Sequence, residues 1–343
     1  MSKEKQKKSN WLIISCLAIL LAAGAVTGFW YLYYQNQRAA LCPQSGELNV
    51  GSDCSADAKT FIIKKGEGPI LIASNLEAAG LIRKALIFRL ELKRQGVEEK
   101  LQAGVFKLSA GMTLDEIIAE LIDPPEEVSI TVLPGWRREE FASYLAGLGL
   151  INFDQEEFLE LTVDREGFLW ADTYRVFADA TAKEIVQLLE KTFETKTRDL
   201  QEEALAKGRD WEEIVIIASI LQREARNADQ MKMIAQIFQN RLEIDMRLQL
   251  CATAQYATGY NAVSKSWWDE PALADTEFLS PFNTYVTAGL PPRPIAAVSR
   301  MALEAALNPT DNNYLFYLHD SEGKIHYGRT AEEHNRNKAN FLN

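Results

Sequence analysis

A chain of 343 residues is long enough for two or three modules of ordinary size. Hydrophobic residues make up 47% and charged residues 25%, which excludes wholesale disorder. A net charge of −11 argues against a nucleic-acid binder, whose basic face must neutralise phosphates. The charge is uneven: residues 1–10 hold four Lys and one Glu, +3 in all, which leaves −14 on the rest.

Residues 1–10 are predicted to be a short cytoplasmic tail. No charge occurs between Lys8 and Arg38, and Trp11–Tyr34 is an apolar run of 24 residues. As a helix it would measure roughly 36 Å, enough for a hydrocarbon core of about 30 Å, so a transmembrane anchor is expected over 11–34. Trp30, Tyr31, Tyr33 and Tyr34 cluster at its far end, where an interfacial aromatic belt belongs. Lys3, Lys5, Lys7 and Lys8 precede it, which places the N-terminus in the cytoplasm and the rest outside, in the cell membrane. A cleaved signal peptide would have a shorter apolar region and a small-x-small exit. A lipoprotein site at Cys16 would have more apolar residues before it. The expected juxtamembrane linker, 35–58, holds Cys42 and Cys54, whose pairing would stabilise the loop by roughly 3 kcal/mol. Cys251 has no obvious partner. His319, His326 and His334 lie in the last 25 residues without further ligands at metal spacing, so no metal and no cofactor is expected.

A unit then repeats. Phe61-Ile62-Ile63 leads to Gly66, to a helix with apolar Ile72, Ala73 and Leu76, and to Gly80-Leu81-Ile82. Shifted by 69 positions, Ile130-Thr131-Val132 leads to Gly135, to Phe141, Ala142 and Leu145, and to Gly149-Leu150-Ile151. A weaker copy joins Val105–Leu108, Gly111, and Ile117, Ile118 and Leu121. Each reads as a strand that turns at Gly into a helix. The first copy adds a helix over Ile82–Gln95 before the strand Gly104–Leu108. The resulting β-α-α-β order, in a module over 59–125, resembles the LysM fold and so implies glycan contact; a plain α+β spacer is the alternative.

The remainder, 126–343, reads as mostly helical with short strands, so the whole chain is α+β. Helices are predicted over Thr181–Lys196, Glu213–Arg226, Gln230–Glu243 and Met301–Leu307. Asp210 caps the second, with Glu213 three residues on. Pro271–Pro294 is rich in Pro and Gly and suits an ordered loop walling a groove. Tyr314–His319 and Lys324–Tyr327 are predicted to form a hairpin.

One residue stands out chemically. Glu224 follows Ile220 by four positions and Ile217 by seven, so it projects from the apolar face of its helix. A carboxyl there is expected to have a raised pKa and to donate a proton near neutrality. A buried Glu held by a structural partner, or a helix end already in solvent, are the bland alternatives.

The runs Ala218-Ser219-Ile220-Leu221-Gln222-Arg223-Glu224-Ala225, Phe238-Gln239-Asn240-Arg241-Leu242, Met246-Arg247-Leu248-Gln249 and Thr253-Ala254-Gln255-Tyr256-Ala257 carry a resemblance. Ser280-Pro281-Phe282-Asn283-Thr284-Tyr285, Gly289-Leu290-Pro291-Pro292, Ala305–Pro309 and Glu166–Tyr174 continue it. Together they resemble the endolytic murein transglycosylases, the YceG-like family. The resemblance implies a catalytic domain over 126–343 that cuts the MurNAc-GlcNAc β-1,4 bond of nascent peptidoglycan, internally and without water, leaving 1,6-anhydro-MurNAc ends. It implies Glu224 as the general acid and base, the second of the family's two acids, with Gln222 in place of the first. Gln249, Tyr256, Asn283 and Tyr285 fall in matching motifs and are expected to hold the sugar. Cys251, Ala171 and Arg293 depart from the family pattern. The implied partners are glycan strands, the membrane and cell-wall synthases. A glycan hydrolase and a catalytically inactive, wall-binding scaffold are the competing readings; the first would leave reducing ends, the second no fragments.

Overall fold

The structure, a computed structural model, describes residues 3–41, 58–64, 66–123, 127–270 and 272–342. Cys42 and Cys54, with their expected pairing, lie outside the described residues. The chain divides into two units, Met1–Glu127 and Val128–Asn343.

In the first unit, α1 (Lys3–Arg38) is followed by β1 (Lys59–Ile63), α2 (Pro69–Ala78), α3 (Ala85–Gln95), β2 (Gly104–Leu108) and α4 (Leu114–Ile122). The β-α-α-β order is the one expected. β1 and β2 pair antiparallel, with Phe61 opposite Phe106. Local chemistry sets the ends. Pro69 opens α2 where its missing N–H costs nothing, Gly96 closes α3 in the left-handed conformation, and Thr113 and Glu116 form a capping box on α4. Phe61, Ile72, Leu76, Phe88, Leu92, Ile117 and Leu121 make the core. A buried carboxylate, Glu91, accepts hydrogen bonds from Tyr34, Arg94 and Gln95. Burial pushes its pKa up, but those bonds and the charge of Arg38 override it and hold Glu91 down at about 2.

Among the described residues, no helix is long and apolar enough to cross a membrane. The expected transmembrane helix therefore finds no support there. Its apolar run lies within α1, and the side chains through Cys16 are outside those described.

The second unit holds β3 (Glu127–Thr131), α5 (Arg138–Gly147), α6 (Gln155–Leu161), β4 (Thr173–Phe177), α7 (Ala182–Ala206), α8 (Trp211–Glu224) and α9 (Ala228–Glu243). It continues with α10 (Cys251–Thr258), α11 (Leu273–Thr276), α12 (Arg300–Leu307), β5 (Phe316–His319), β6 (Ile325–Gly328) and α13 (Ala331–Phe341). β3 pairs with β4, and β5 with β6 in the expected hairpin, Tyr317 opposite Tyr327. The 69-residue repeat survives in the backbone: Gly66 and Gly135 have φ of 89° and 87°, Gly80 and Gly149 67° and 73°. At these turns a side chain would be strained, which is why glycine recurs at them.

Helix α7 runs ten residues past its predicted end, because Phe193, Thr197, Leu200 and Ala204 continue its buried stripe at helical spacing. The hydroxyl of Thr197 donates to the Phe193 carbonyl at 2.8 Å and so tolerates burial. Helix α8 is the centre of the unit. Its residues Ile214–Leu221 are all buried, so it is enclosed on every side rather than amphipathic. Its two ends emerge, Glu212 and Glu213 in the first turn and Gln222, Arg223 and Glu224 in the last.

Candidate active site

Helix α8 ends two residues earlier than its sequence predicts. Ala225 is extended, with φ −141° and ψ 157°, which makes Glu224 the last helical residue. The break has a cause just downstream, where the Asn227 side chain accepts from the Gln230 N–H at 3.0 Å and caps α9. The three emerging side chains diverge. The Gln222 amide oxygen accepts from the Ser299 hydroxyl at 2.6 Å, which ties α8 to the start of α12. Arg223 donates to the Gly135 carbonyl at 3.3 Å and lies over the Trp268 ring, 3.9 Å from its centroid. Glu224 turns toward β5 and α10.

There the Tyr317 hydroxyl donates to Glu224 Oε2 at 2.8 Å, and the backbone N–H of Ala252, in the first turn of α10, also bonds the carboxylate. Glu224 is partly buried, and burial pushes its pKa up. The two hydrogen bonds and the charges of Arg223 and Arg241 pull the other way without cancelling the rise. Its place in the last turn adds to the rise, since the negative end of the helix dipole opposes a carboxylate. Arg241 is buried on α9 and donates from Nε to the Leu315 carbonyl at 2.6 Å, and from Nη1 to the carbonyl of Leu248. Those bonds hold a positive charge near Glu224 while tying α9 to the strand that carries Tyr317. Burial, then the charge of Glu224, raise the pKa of Tyr317 well above its ordinary value, so it remains a donor.

Tyr285 and Cys251 complete this cluster. The Tyr285 hydroxyl lies 3.3 Å from Cys251 Sγ. Burial raises the pKa of both, and Glu224 adds to each rise. Cys251 therefore stays a thiol near neutrality. The expected Gln249 is exposed beside α10, with its N–H on the Thr284 carbonyl at 3.1 Å. Its φ of 49° is left-handed, a strain that a non-glycine residue adopts rarely.

The other two expected sugar contacts are placed differently. Asn283 is fully buried. Its amide nitrogen donates to the carbonyls of Asp275, Thr276 and Phe278, and its oxygen accepts from the Tyr285 N–H. It shapes the loop that carries Tyr285 and leaves no group for a ligand. Tyr256 packs on Phe282, 4.9 Å between ring centroids, with the Arg137 guanidinium 4.2 Å from its own. Nearby Glu166 is buried and gives both oxygens to the Arg138 N–H at 3.2 Å. Burial, then Glu139, push Glu166 up to about 8. Sequence reasoning passed over Tyr317 and Glu166 as site residues, although one stood in the predicted hairpin and the other opened a quoted motif.

This arrangement can give and take a proton: a carboxyl that favours its neutral form, a phenol that steadies its charged form, and an arginine behind both.

The model of the YceG-like family matches residues 61–340, across both units, and does not set the first apart as LysM-like. A protein of Streptococcus pneumoniae serotype 2 (strain D39), named endolytic murein transglycosylase, is 27% identical over 95% of this chain. The match covers 64% of that protein, so the chain spans under two thirds of it. A Bacillus subtilis (strain 168) protein of the same name is 28% identical over 83% of this chain and 86% of its own length. A crystal structure of a yceG-like protein from Listeria monocytogenes has a TM-score of 0.54 and 26% identity, over 82% of this chain and 99% of that one.

Proposed function

The chain belongs to the YceG-like family, and from that premise we propose that it is a lytic transglycosylase of peptidoglycan with Glu224 as general acid and base. The observation that carries this is the carboxyl of Glu224 at the emerging end of a buried helix, favouring its proton yet bonded by Tyr317. In the reaction, protonated Glu224 donates to the glycosidic oxygen as the bond from muramic C1 breaks. The carboxylate then accepts the proton of the C6 hydroxyl as O6 closes on C1, which returns Glu224 to its starting form. The product is a 1,6-anhydro end with no water added.

A tethered hydroxyl needs no second carboxylate to activate it, because tethering supplies an effective concentration of up to about 10⁵–10⁸ M. A hydrolase would place a second carboxyl about 5–9 Å away to handle water or the sugar. The groups hydrogen-bonded to Glu224 are a phenol and a backbone amide. Tyr285 and Gln249, on the stretches flanking α10, contact the sugar. Asn283 and Tyr256 hold those stretches in shape.

In the same reading, the run within α1 anchors the enzyme in the cell membrane with its N-terminus in the cytoplasm. The domain over 126–343 then works outside, beside the synthases that extrude nascent strands, and cuts them internally. The β-α-α-β module over 59–125 adds a contact to the glycan.

The test is mass analysis of fragments released from uncrosslinked glycan by the full chain and by its Glu224→Gln variant. Fragments one water lighter than hydrolysis products, absent with a well-folded variant, are expected. Reducing ends would make it a hydrolase, and intact strands bound without cleavage would make it a scaffold.

A further inference from the structure

On the second unit, a cleft of about 540 Å³ is lined by Trp136, Glu140, Ser143, Tyr144, Tyr260, Lys265 and Trp267. Its volume lies within the roughly 300–1,000 Å³ usual for small-molecule sites. Glu224 is not among its lining residues. One wall is the lead-in and outer face of α5, since Trp136, Glu140, Ser143 and Tyr144 recur at three- and four-residue spacing. The other is the loop after α10.

The aromatic rings meet at an angle rather than stack on each other. Trp136 and Tyr144 lie 5.5 Å apart at 60°, and Tyr260 and Trp267 lie 5.0 Å apart at 53°. The Arg137 guanidinium sits 4.4 Å from the Trp267 ring centroid and fixes that indole from one side. Glu140 Oε2 accepts from the Arg137 N–H at 3.0 Å and from Trp268 Nε1 at 2.8 Å. Among the described residues, Oε1 of Glu140 has no protein donor. The cleft is thus rich in ring faces, with one acid, one base, the Ser143 hydroxyl and two phenols among its lining.

A pyranose fits that chemistry. Its axial C–H bonds make an apolar, slightly positive face that rests on the negative face of an indole or phenol. Its equatorial hydroxyls and acetamido group need donors and acceptors around the edge, which Glu140, Ser143 and Lys265 supply. The opposed charges of Glu140 and Lys265 give no preference for an anion or a cation, as suits a neutral sugar. The cleft also connects to the Glu224 helix, because Trp268, bonded to Glu140, lies under Arg223, the residue next to Glu224.

We infer that this cleft is a saccharide subsite that takes a sugar ring of the glycan strand outside the linkage being cut. The inference rests on the glycan reading of the Glu224 site. Its role is to hold a long strand in register, so that a strand too short to reach it binds poorly.

Calorimetric titration of the full chain carrying Glu224→Gln tests this with two probes. One is chitohexaose, a neutral, peptide-free β-1,4-linked N-acetylglucosamine oligomer, and the other a free stem pentapeptide. Trp267→Ala and Tyr260→Ala, each added to Glu224→Gln, are expected to raise the Kd for chitohexaose at least about tenfold, as truncation of a stacked aromatic anchor does. Tyr260 is 49% exposed, so its variant keeps the test open if Trp267→Ala does not fold. A chitohexaose Kd unchanged in both variants overturns the subsite; that is also the result if the first unit alone binds the sugar. Stem-peptide binding lost in these variants, with chitohexaose binding retained, overturns it in favour of a peptide site. Failure of the wild-type chain to make anhydro ends would instead overturn the transglycosylase, and the binding series does not depend on that outcome.

Discussion

Tyr317→Phe separates the acid from the group that steadies it. The substitution keeps the ring and its packing in the β5–β6 hairpin and removes one hydroxyl, which donates to Glu224 Oε2 at 2.8 Å. A hydrogen bond to a charged group contributes about 1.5–3 kcal/mol. In the proposed reaction Glu224 becomes charged as it protonates the glycosidic oxygen, so the bond is strongest late in that step. Its loss should lower kcat by roughly 10- to 150-fold. The pH dependence has a definite sign. The Tyr317 bond opposes the rise in the Glu224 pKa that burial causes. Without it the pKa rises further, the proton is held to higher pH, and the alkaline limb of the pH–rate profile moves up. Initial rates of anhydro-end formation, followed across a pH series, read both effects. An unchanged kcat, or an alkaline limb that moves down, would refute the role of Tyr317 and the assignment of Glu224 with it.

Three further outcomes are expected. Gly167 has φ 81°, and an added Cβ would lie 2.4 Å from the Pro294 Cβ, in a ring that cannot turn aside; Gly167→Ala should cost roughly 2–5 kcal/mol, read by thermal unfolding. Glu166 keeps its proton in the folded state up to about 8 but ionises near 4.5 when unfolded, so stability should fall as pH rises between those values, and Glu166→Gln should flatten that slope in the unfolding midpoint. Mass analysis of the mature protein from membranes should find the first 35 residues still attached; a new N-terminus near residue 35, or a lipid on Cys16, would refute the anchor.

Much of the fold was legible because local signals agreed. The apolar run Ile214–Leu221 behind the Asp210 cap marked a helix, though as one with an apolar face rather than one enclosed on every side, and Gly66, Gly80, Gly135 and Gly149 marked turns whose positive φ the structure bears out. What ends α8 was not legible from α8 itself. Ala225 and Arg226 are good helix formers, and the helix stops because Asn227 begins the next one. The surroundings of Glu224 were less legible still. Tyr317 lies 93 residues further along the chain and reaches it only through the packing of the hairpin. Asn283 shows the limit from the other side: an asparagine in a recognisable motif looks the same in sequence whether it faces a sugar or, as here, closes its own loop.

The position of Glu224 at a helix end, rather than within the helix, bears on the double duty proposed for it. A residue that acts as acid and then as base in one turnover is slowed if either protonation state is held too firmly. Mid-helix, among Ile214–Leu221, desolvation would act unopposed and the carboxylate would be a poor leaving state for the proton. On an open surface, the carboxyl would already be ionised and have nothing to give. At the last residue of α8, burial and the helix dipole favour the proton, while Tyr317, the Ala252 N–H and two arginines favour its loss. The eight buried residues behind it fix where that contest takes place. The extended Ala225 lets the side chain leave the helix and reach partners on β5 and α10. Opposed terms of this kind leave both states accessible, and that lets one carboxyl serve both steps when the nucleophile is tethered to the substrate.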